Sequence, residues 1–388
     1  MTEHDDDSKA ARLQSPSPHD IAAPLKPMLS LVADLGRRMN STVHNDILLD
    51  SGDCGYRLSP DKFVGIDCGG ALRRVAAVDG GSGRLVETPN FSVTLNRTYY
   101  SMFKGRRREL AGPRIEFFSV TMVQISEIRS EGKVKSYNTV LYPQEPDIAK
   151  RYLPDEKDLC LEQRYPRFYE LAQVDTAARQ FAEWKMATCM VQDDLDEGDV
   201  LIKDGSLQTK FPQENRYADA LHRAAKEKDV VVCGLSKTST MVTEAGEPLL
   251  ARVEEISRES GLDRWYIKVA QKASPDGDLT VLVAKFHPSS EFVFRFEMLR
   301  DQFDALGEEG IGEVLCSISA NSDDYSMIGY PYAAVDADRF AQVRTEELEM
   351  YKNVFASMTS QQSGEDWERI HKYRKALMAH DRLNEVTG

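Results

Sequence analysis

Two kinds of hydrophobic pattern alternate along the chain, and their order predicts a mixed sheet flanked by helices. Residues 1–27 show no apolar periodicity. They are rich in Asp, Ser and Pro (SPSPHD, AAPLKP) and predict a flexible acidic tail. Leu29, Leu31, Val32, Leu35 and Met39 recur at helical spacing, which predicts a helix from Met28 to about Asn45. The segment RLSPDKF reads as a loop, so residues 28–60 form a helix-and-loop lead into the main body at 61–345. There, β-branched and aromatic runs stand at 64–67, 72–79, 91–100 and 114–128 with turn residues between them. The Gly-Gly-Ser-Gly run at 80–83 reads as the middle turn of an antiparallel meander.

The pattern then changes. Phe168, Leu171, Val174, Ala178, Phe181, Ala182, Met186 and Met190 give a helical stripe over 166–192. Two short, continuously apolar runs, DVLIKD (199–204) and DVVVCGL (229–235), flank a helix over 215–227. Strand, helix, strand at this pitch is a βαβ unit with buried parallel strands. A helical segment (246–259) precedes strands at WYIKVA, LTVLVAKF and FVFRFE, and a helix over 299–308 leads into EVLCSISA. Charged helices are expected at 336–356 and 364–384, so that 346–388 is a helical C-terminal segment. Meander, then βαβ, then mixed elements makes an α/β protein. A ribonuclease-H-like mixed sheet with flanking helices is the natural candidate.

Composition narrows the function classes. The 388 residues are 41% hydrophobic, enough for a sizeable core. No run approaches the ~18–20 apolar residues that span a bilayer, so no membrane role is expected. The acidic, polar start MTEHDDDSKAARLQ has no basic region followed by an apolar core, so no secretory signal is expected. Six scattered cysteines form no CxxC pair, which excludes a zinc knuckle and predicts reduced thiols in the cytoplasm. Lys and Arg total 49 against 63 Asp and Glu, a net charge of −14. Such a chain does not coat nucleic acid by bulk positive charge, although an enzyme can still grip a phosphodiester locally.

The candidate chemistry is acidic. VAAVDGGSG and DVLIKDGSLQ each end an apolar run in Asp-Gly, at Asp79 and Asp204. This pattern sets a carboxylate at the sheet rim, and two such groups on neighbouring strands can share a hard cation such as Mg2+ or Mn2+. Each pair taken alone equally makes an ordinary turn. AARQFAEWKMA (177–187) carries Glu183 on a helix, where a solvated glutamate is the plainer reading. In IGYPYAAVDADRFAQV (328–343) a Tyr-Pro-Tyr turn enters a helix, with Asp336 and Asp338 expected in its first turn, a favourable place for any aspartate. Beside these stand Lys237 in CGLSKTST and Lys285, His287 and Arg295 in LVAKFHPSSEFVFRFE, candidates to contact DNA phosphates. The basic run KGRRREL (104–110) either meets DNA at an entrance or is a solvated hairpin tip.

Taken in order, VAAVDGG, the helix glutamate, IKDGSL, GLSKTS, KFHPSSEFVFRFE and GYPYAAVDADRFA resemble the NurA nuclease family over about residues 60–345. The resemblance implies a ribonuclease-H-like fold with a Piwi-like core and a Mn2+-dependent deoxyribonuclease, exonucleolytic and in some settings endonucleolytic, acting on DNA ends. It also implies a homodimer docked on a HerA-type hexameric translocase, in end resection, repair or anti-phage defence. Carried over by position, it makes Asp79, Glu183, Asp204 and Asp338 the catalytic metal ligands, with Asp67 an alternative to Asp79 and Glu170 an alternative to Glu183. The last of these positions is often histidine in the family. Aspartate there still binds a hard metal but supplies no imidazole ligand and no proton near pH 7.

Two other readings stand beside this one. VGIDCGGALRR, with Asp67, resembles the phosphate loop of actin–hexokinase-type sugar kinases, but the later glycine-rich adenosine loops are missing. A non-catalytic subunit that guides DNA on a motor ring would keep the same fold.

Overall fold

The computed structural model describes residues 26–34, 45–49, 52–128, 132–164, 168–274 and 277–362, with 364 and 368. Its strands are β1 (Cys54–Gly55), β2 (Val64–Gly65), β3 (Arg74–Glu87), β4 (Phe91–Lys104), β5 (Arg107–Ala111), β6 (Ile115–Ile128), β7 (Gly132–Pro143), β8 (Leu161–Arg164), β9 (Val200–Asp204), β10 (Val231–Ser236), β11 (Trp265–Lys272), β12 (Leu279–Lys285) and β13 (Phe294–Leu299). The helices are α1 (26–34), α2 (Pro146–Ala149), α3 (Leu171–Val174), α4 (Ala177–Asp193), α5 (Asn215–Glu227), α6 (Leu249–Ser257), α7 (Arg300–Ser319), α8 (Tyr332–Ala341) and α9 (Thr345–Ser360).

All thirteen strands join one sheet in the order β1-β11-β12-β13-β10-β9-β3-β4-β6-β7-β8, with β2 on β11 and β5 on β4. At its centre β6, β4 and β3 are antiparallel, β9 lies parallel to β3, and β10 parallel to β9. This is the ribonuclease-H-like arrangement. β9 and β10 read as continuous apolar runs because helices cover both faces of the sheet. On one face Phe181, Trp184, Met186 and Met190 of α4 meet Ala76, Val78 and Leu201. On the other, Val314, Leu315 and Ile318 of α7 and Ala333 and Ala337 of α8 meet Val75, Ala77, Ile202 and Leu235. A third cluster seats Leu249 and Val253 of α6 on Trp265, Ile267, Val281 and Val283.

Several sequence expectations change. The glycine run at 80–83 does not turn. β3 continues through it, with Gly80 paired to Thr98, Gly81 to Arg97 and Gly83 to Leu95. None of these glycines has positive φ, so the missing side chains are needed for space and not for a bend. A Cβ on Gly80 would strike the Glu183 carboxylate, one on Gly81 would strike the backbone oxygen of Ala341, and one on Gly83 would lie 2.9 Å from Leu348 Cδ1. The helix at 300 runs on to Ser319, broken at Gly307 (φ 61°, ψ −174°), so EVLCSISA is helical and buried against the sheet. The charged helix expected over 336–356 is two helices, α8 and α9. Asp336 and Asp338 therefore sit in the body of α8, whose first turn is free of acid. The stripe over 166–192 divides into α3 and α4. Of the helix expected from Met28 to Asn45, the stretch to 34 is helical. The acidic tail and the helix at 364–384 lie almost wholly outside the described residues, among which no helix is long and apolar enough to cross a membrane.

Gly81→Ala should cost about 1–3 kcal/mol, because the new methyl meets helix backbone that has no rotamer by which to give way. Urea unfolding followed by circular dichroism measures this, and an unchanged midpoint would show that α8 does not press on β3.

Candidate active site

The register of β3 on β9 sets Val78 opposite Lys203, so the next pair along is Asp79 and Asp204. Alternation puts both on the α8 face, in line with Ala77 and Ile202. Asp204 ends its strand opposite Leu235 of β10, and Gly205 turns the chain at φ 86° while its N–H donates to Leu235 O at 2.8 Å. Asp79 is 7% exposed, and its Oδ1 accepts the Gly80 N–H at 2.6 Å. Burial, then the charges of Asp204 and Glu183, hold its carboxyl well above the usual carboxylate range, against the opposing pull of Lys237 and the Gly80 N–H.

From the loop before α8, Tyr330 donates its hydroxyl to Asp204 Oδ1 at 2.6 Å. Burial first, and then Asp204, push that phenol well up, so it stays a donor. Lys237 follows β10 directly. Its Nζ lies 2.8 Å from Asp338 Oδ1, 3.8 Å from Asp204 Oδ1 and 5.0 Å from the centre of the Tyr330 ring. Burial works against its charge, but Asp204 and Asp338 outweigh it and raise the lysine's pKa.

Glu183 arrives from the opposite face. It rises from α4 through the space that Gly80 leaves open. Arg179, one turn earlier, pairs with it and donates to Gly80 O at 3.0 Å, while Lys203 Nζ stands 3.6 Å away over the Trp184 ring. Glu170 does not reach this place, since its side chain closes a capping box with Gln173 at the start of α3. Asp67 sits exposed in the loop that enters β3, beside Cys316 of α7. Four acidic groups remote in sequence therefore gather around the middle of β3, interleaved with three cations.

The NurA domain matches residues 73–343, well over half of the chain. The chain belongs to the NurA family. The crystal structure of the NurA nuclease from Sulfolobus solfataricus aligns with a TM-score of 0.54 at 12% identity, over 88% of this chain and 97% of that one. Two slighter likenesses, too weak to argue from, are to Ciona intestinalis endonuclease V in complex with DNA (TM-score 0.35, 10% identity, 75% and 94% covered) and to A. aeolicus Argonaute (TM-score 0.28, 10% identity, 70% and 28% covered). No curated protein matches the sequence.

The other residues expected in the NurA site lie along the same rim. Arg295 of β13 stands opposite Ser236 of β10, is 8% exposed and is ion-paired with Glu297. Lys285 ends β12, and His287 Nδ1 accepts the Ser289 N–H at 3.1 Å in the loop beyond. Among the described residues neither Lys285 nor His287 makes an ion pair with the carboxylates. In sequence Glu297 is the glutamate of an Arg-x-Glu pattern with Arg295, with no role attached to it. Fully buried, it accepts Ser206 Oγ at 3.0 Å and Leu207 N at 2.8 Å, and so fixes the loop that carries Asp204. The repeated phenylalanines of FVFRFE mark a buried strand, in which an inward carboxylate needs partners.

Among the described residues no three His, Cys, Asp or Glu side chains are arranged to hold a cation as they stand. Lys237 lies between Asp204 and Asp338, and Arg179 and Lys203 engage Glu183. The donor set nonetheless fits a hard divalent ion. It is all carboxylate oxygen, and the buried Asp79 bears a charge that its neighbours drive toward protonation, a burden that a cation relieves.

With Asp79 pushed upward, the metal-free fold holds its proton more tightly than the unfolded chain does. The stability this confers is full below the unfolded value near ~3.9 and is lost as pH rises through the folded value. Asp79→Asn should therefore melt above wild type at pH 8 in EDTA, with the difference shrinking toward pH 4. Thermal melts across that range test this, and a variant less stable at pH 8 would place the carboxylate repulsion elsewhere.

Proposed function

We propose that this NurA-family chain is a nuclease that hydrolyses phosphodiester bonds at DNA ends with Mn2+ or Mg2+. The observation that carries this reading is the gathering of Asp79, Asp204, Asp338 and Glu183 around one strand, with a lysine among them and the Asp79 carboxyl driven upward. Asp79, Glu183, Asp204 and Asp338 would hold the cation, which when bound supplies a more acidic water and offsets charge on the phosphate. Tyr330, by donating to Asp204, fixes which carboxylate oxygen is left free. Glu297 holds the Ser206–Leu207 backbone so that Asp204 keeps its place. Lys237 is the ammonium best placed to meet a flanking phosphate oxygen. Arg179 and Lys203 pair with Glu183 and aim it through the Gly80 gap. Lys285, His287 and Arg295 belong to the path of the DNA backbone along the rim. Family resemblance further supports a homodimer working in the cytoplasm with a HerA-type hexameric translocase, in end resection, repair or anti-phage defence.

One observation favours a second reading. Lys237 occupies the space between Asp204 and Asp338 and neutralises them, as it would in a degenerate subunit that guides DNA without cutting it.

Linear DNA incubated with Mn2+, Mg2+ or EDTA separates the two. Cleavage is expected with either cation and none in EDTA, and Asp79→Ala or Asp204→Ala should reduce it by at least the roughly 100-fold seen when a metal site loses a supporting group. Calorimetric titration with Mn2+ should show binding in the wild type and loss in both variants. No binding and no cleavage would establish the guiding subunit instead.

A further inference from the structure

The segment VGIDCGGALRR, which the carboxylate site leaves unused, carries Cys68 in the loop between β2 and β3. The loop is held at both ends. Ile66 N donates to Arg264 O at 3.0 Å, and Arg73 N donates to Ser317 Oγ of α7 at 2.9 Å. Between these ties Cys68 lies half-buried against the core beneath α7. Its Sγ stands 3.7 Å from the backbone oxygen of Cys316, a residue 248 positions away in sequence. Gly69 and Gly70 follow it with open space around them, so the loop has room to shift the sulfur.

The two thiols are unlike. Arg264 Nη1 donates to Cys68 Sγ at 3.7 Å, and this sulfur is partly open to solvent. Cys316 is 3% exposed, and burial first, then the Cys68 thiol beside it, push its own thiol up to about 12. A small reagent arriving from solvent therefore meets Cys68 before Cys316. The remaining cysteines are placed differently. Cys54, Cys160 and Cys189 turn their thiols to the backbone oxygens of Gly55, Glu156 and Arg151, and Cys233 is fully buried in β10.

We propose that Cys68 and Cys316 are a modification site, a thiol pair that small-molecule disulfides of the glutathione type oxidise reversibly to a disulfide. The Cys68 sulfur, as thiolate, attacks one sulfur of the reagent, the reagent's S–S bond breaks, and one small thiolate leaves. Cys316 then gives up its proton and attacks the Cys68 sulfur, and the second small thiolate leaves. Two protein thiols and one small disulfide become one protein disulfide and two small thiols. The protein loses two electrons, the reagent gains them, and the two protons end on the departing thiolates. The buried Cys316 makes the closing step the slow one, so reagent bound to Cys68 comes first. The bond ties the loop that enters the Asp79 strand to α7, across a long stretch of chain. Bonds of this kind in a reducing compartment are transient and sense oxidation. This site is separate from the carboxylate cluster and does not rest on the nuclease reading.

The test incubates the full, folded chain with oxidised glutathione, blocks the remaining thiols with iodoacetamide and maps the peptides by mass spectrometry. Glutathione on Cys68 should appear first and give way to a peptide in which Cys68 is linked to Cys316, and dithiothreitol should reverse the change. The linked chain should melt about 5 °C above the reduced one, because the bond restricts the unfolded chain. Cys68→Ser should show neither the link nor the rise in melting temperature. Cys316→Ala should keep glutathione on Cys68 and go no further. A folded wild type that carries glutathione on Cys68 without ever linking it to Cys316 overturns the pair. Linkage of Cys68 to the other cysteines as often as to Cys316, or linkage that forms only in urea, overturns it too. None of these outcomes depends on whether the chain cuts DNA.

Discussion

The site depends on the close approach of two helices to one bare strand. β3 alternates its faces, so Gly80 opens toward α4 and Gly81 toward α8. At Gly80 the Glu183 carboxylate fills the space a methyl would take, and at Gly81 the end of α8 does the same. Asp79 lies between them in register with Tyr99, on a strand otherwise lined by Val75, Ala76, Ala77 and Val78. Carboxylates from opposite sides of a sheet normally stand a full strand thickness apart. Only where the strand has no side chains can a glutamate from one face enter the field of an aspartate on the other. The upward push of Glu183 on the Asp79 carboxyl is the electrostatic mark of that closeness.

Gathering acids in this way carries a cost, and the chain distributes it unevenly. Glu183 has Arg179 and Lys203. Asp204 has the Tyr330 hydroxyl and Lys237, and Asp338 has Lys237. Asp79 has a single backbone N–H and faces its neighbours' charge while almost fully buried. The uncompensated charge is therefore localised on one residue of the central strand. The net charge of −14 says little about this place, where acids and bases alternate within a few ångströms.

Much of the fold was legible because burial writes itself into sequence. β9 and β10 could be read from continuous apolar runs, and α5 was read to its observed limits from periodicity alone. The Asp-Gly at 204 was read correctly, because Gly205 does take the positive φ of a turn. The Asp-Gly at 79 was misread for the same local reason. Gly-Gly-Ser-Gly is what a turn looks like, and only the helices that lie against it, set by residues a hundred or more positions away, keep it extended. The Tyr-Pro-Tyr run suggests an approach to the helix and so puts Asp336 and Asp338 in a first turn, whereas Tyr332 already begins the helix. Tyr330 and Glu297 stand in runs that the sequence singles out, GYPY and FVFRFE, but their roles do not show there. Each is a partner to a residue or loop on another strand, and partnership across a sheet is fixed by register that a single sequence does not state.

The same constraint explains why Lys237 follows β10 and not a more distant loop. Leu235 is paired with Asp204, so a residue two positions on projects from the same face just beyond the rim. A lysine there reaches Asp204 and Asp338 together, and its long stem lets the ammonium leave either without disturbing the strand. An arginine would hold one carboxylate in a rigid fork, and a shorter side chain would reach neither. Lys237 balances two acids. The carboxylate cluster and its counter-charge are in this sense one device, built on a stretch of the central sheet bare enough to admit both.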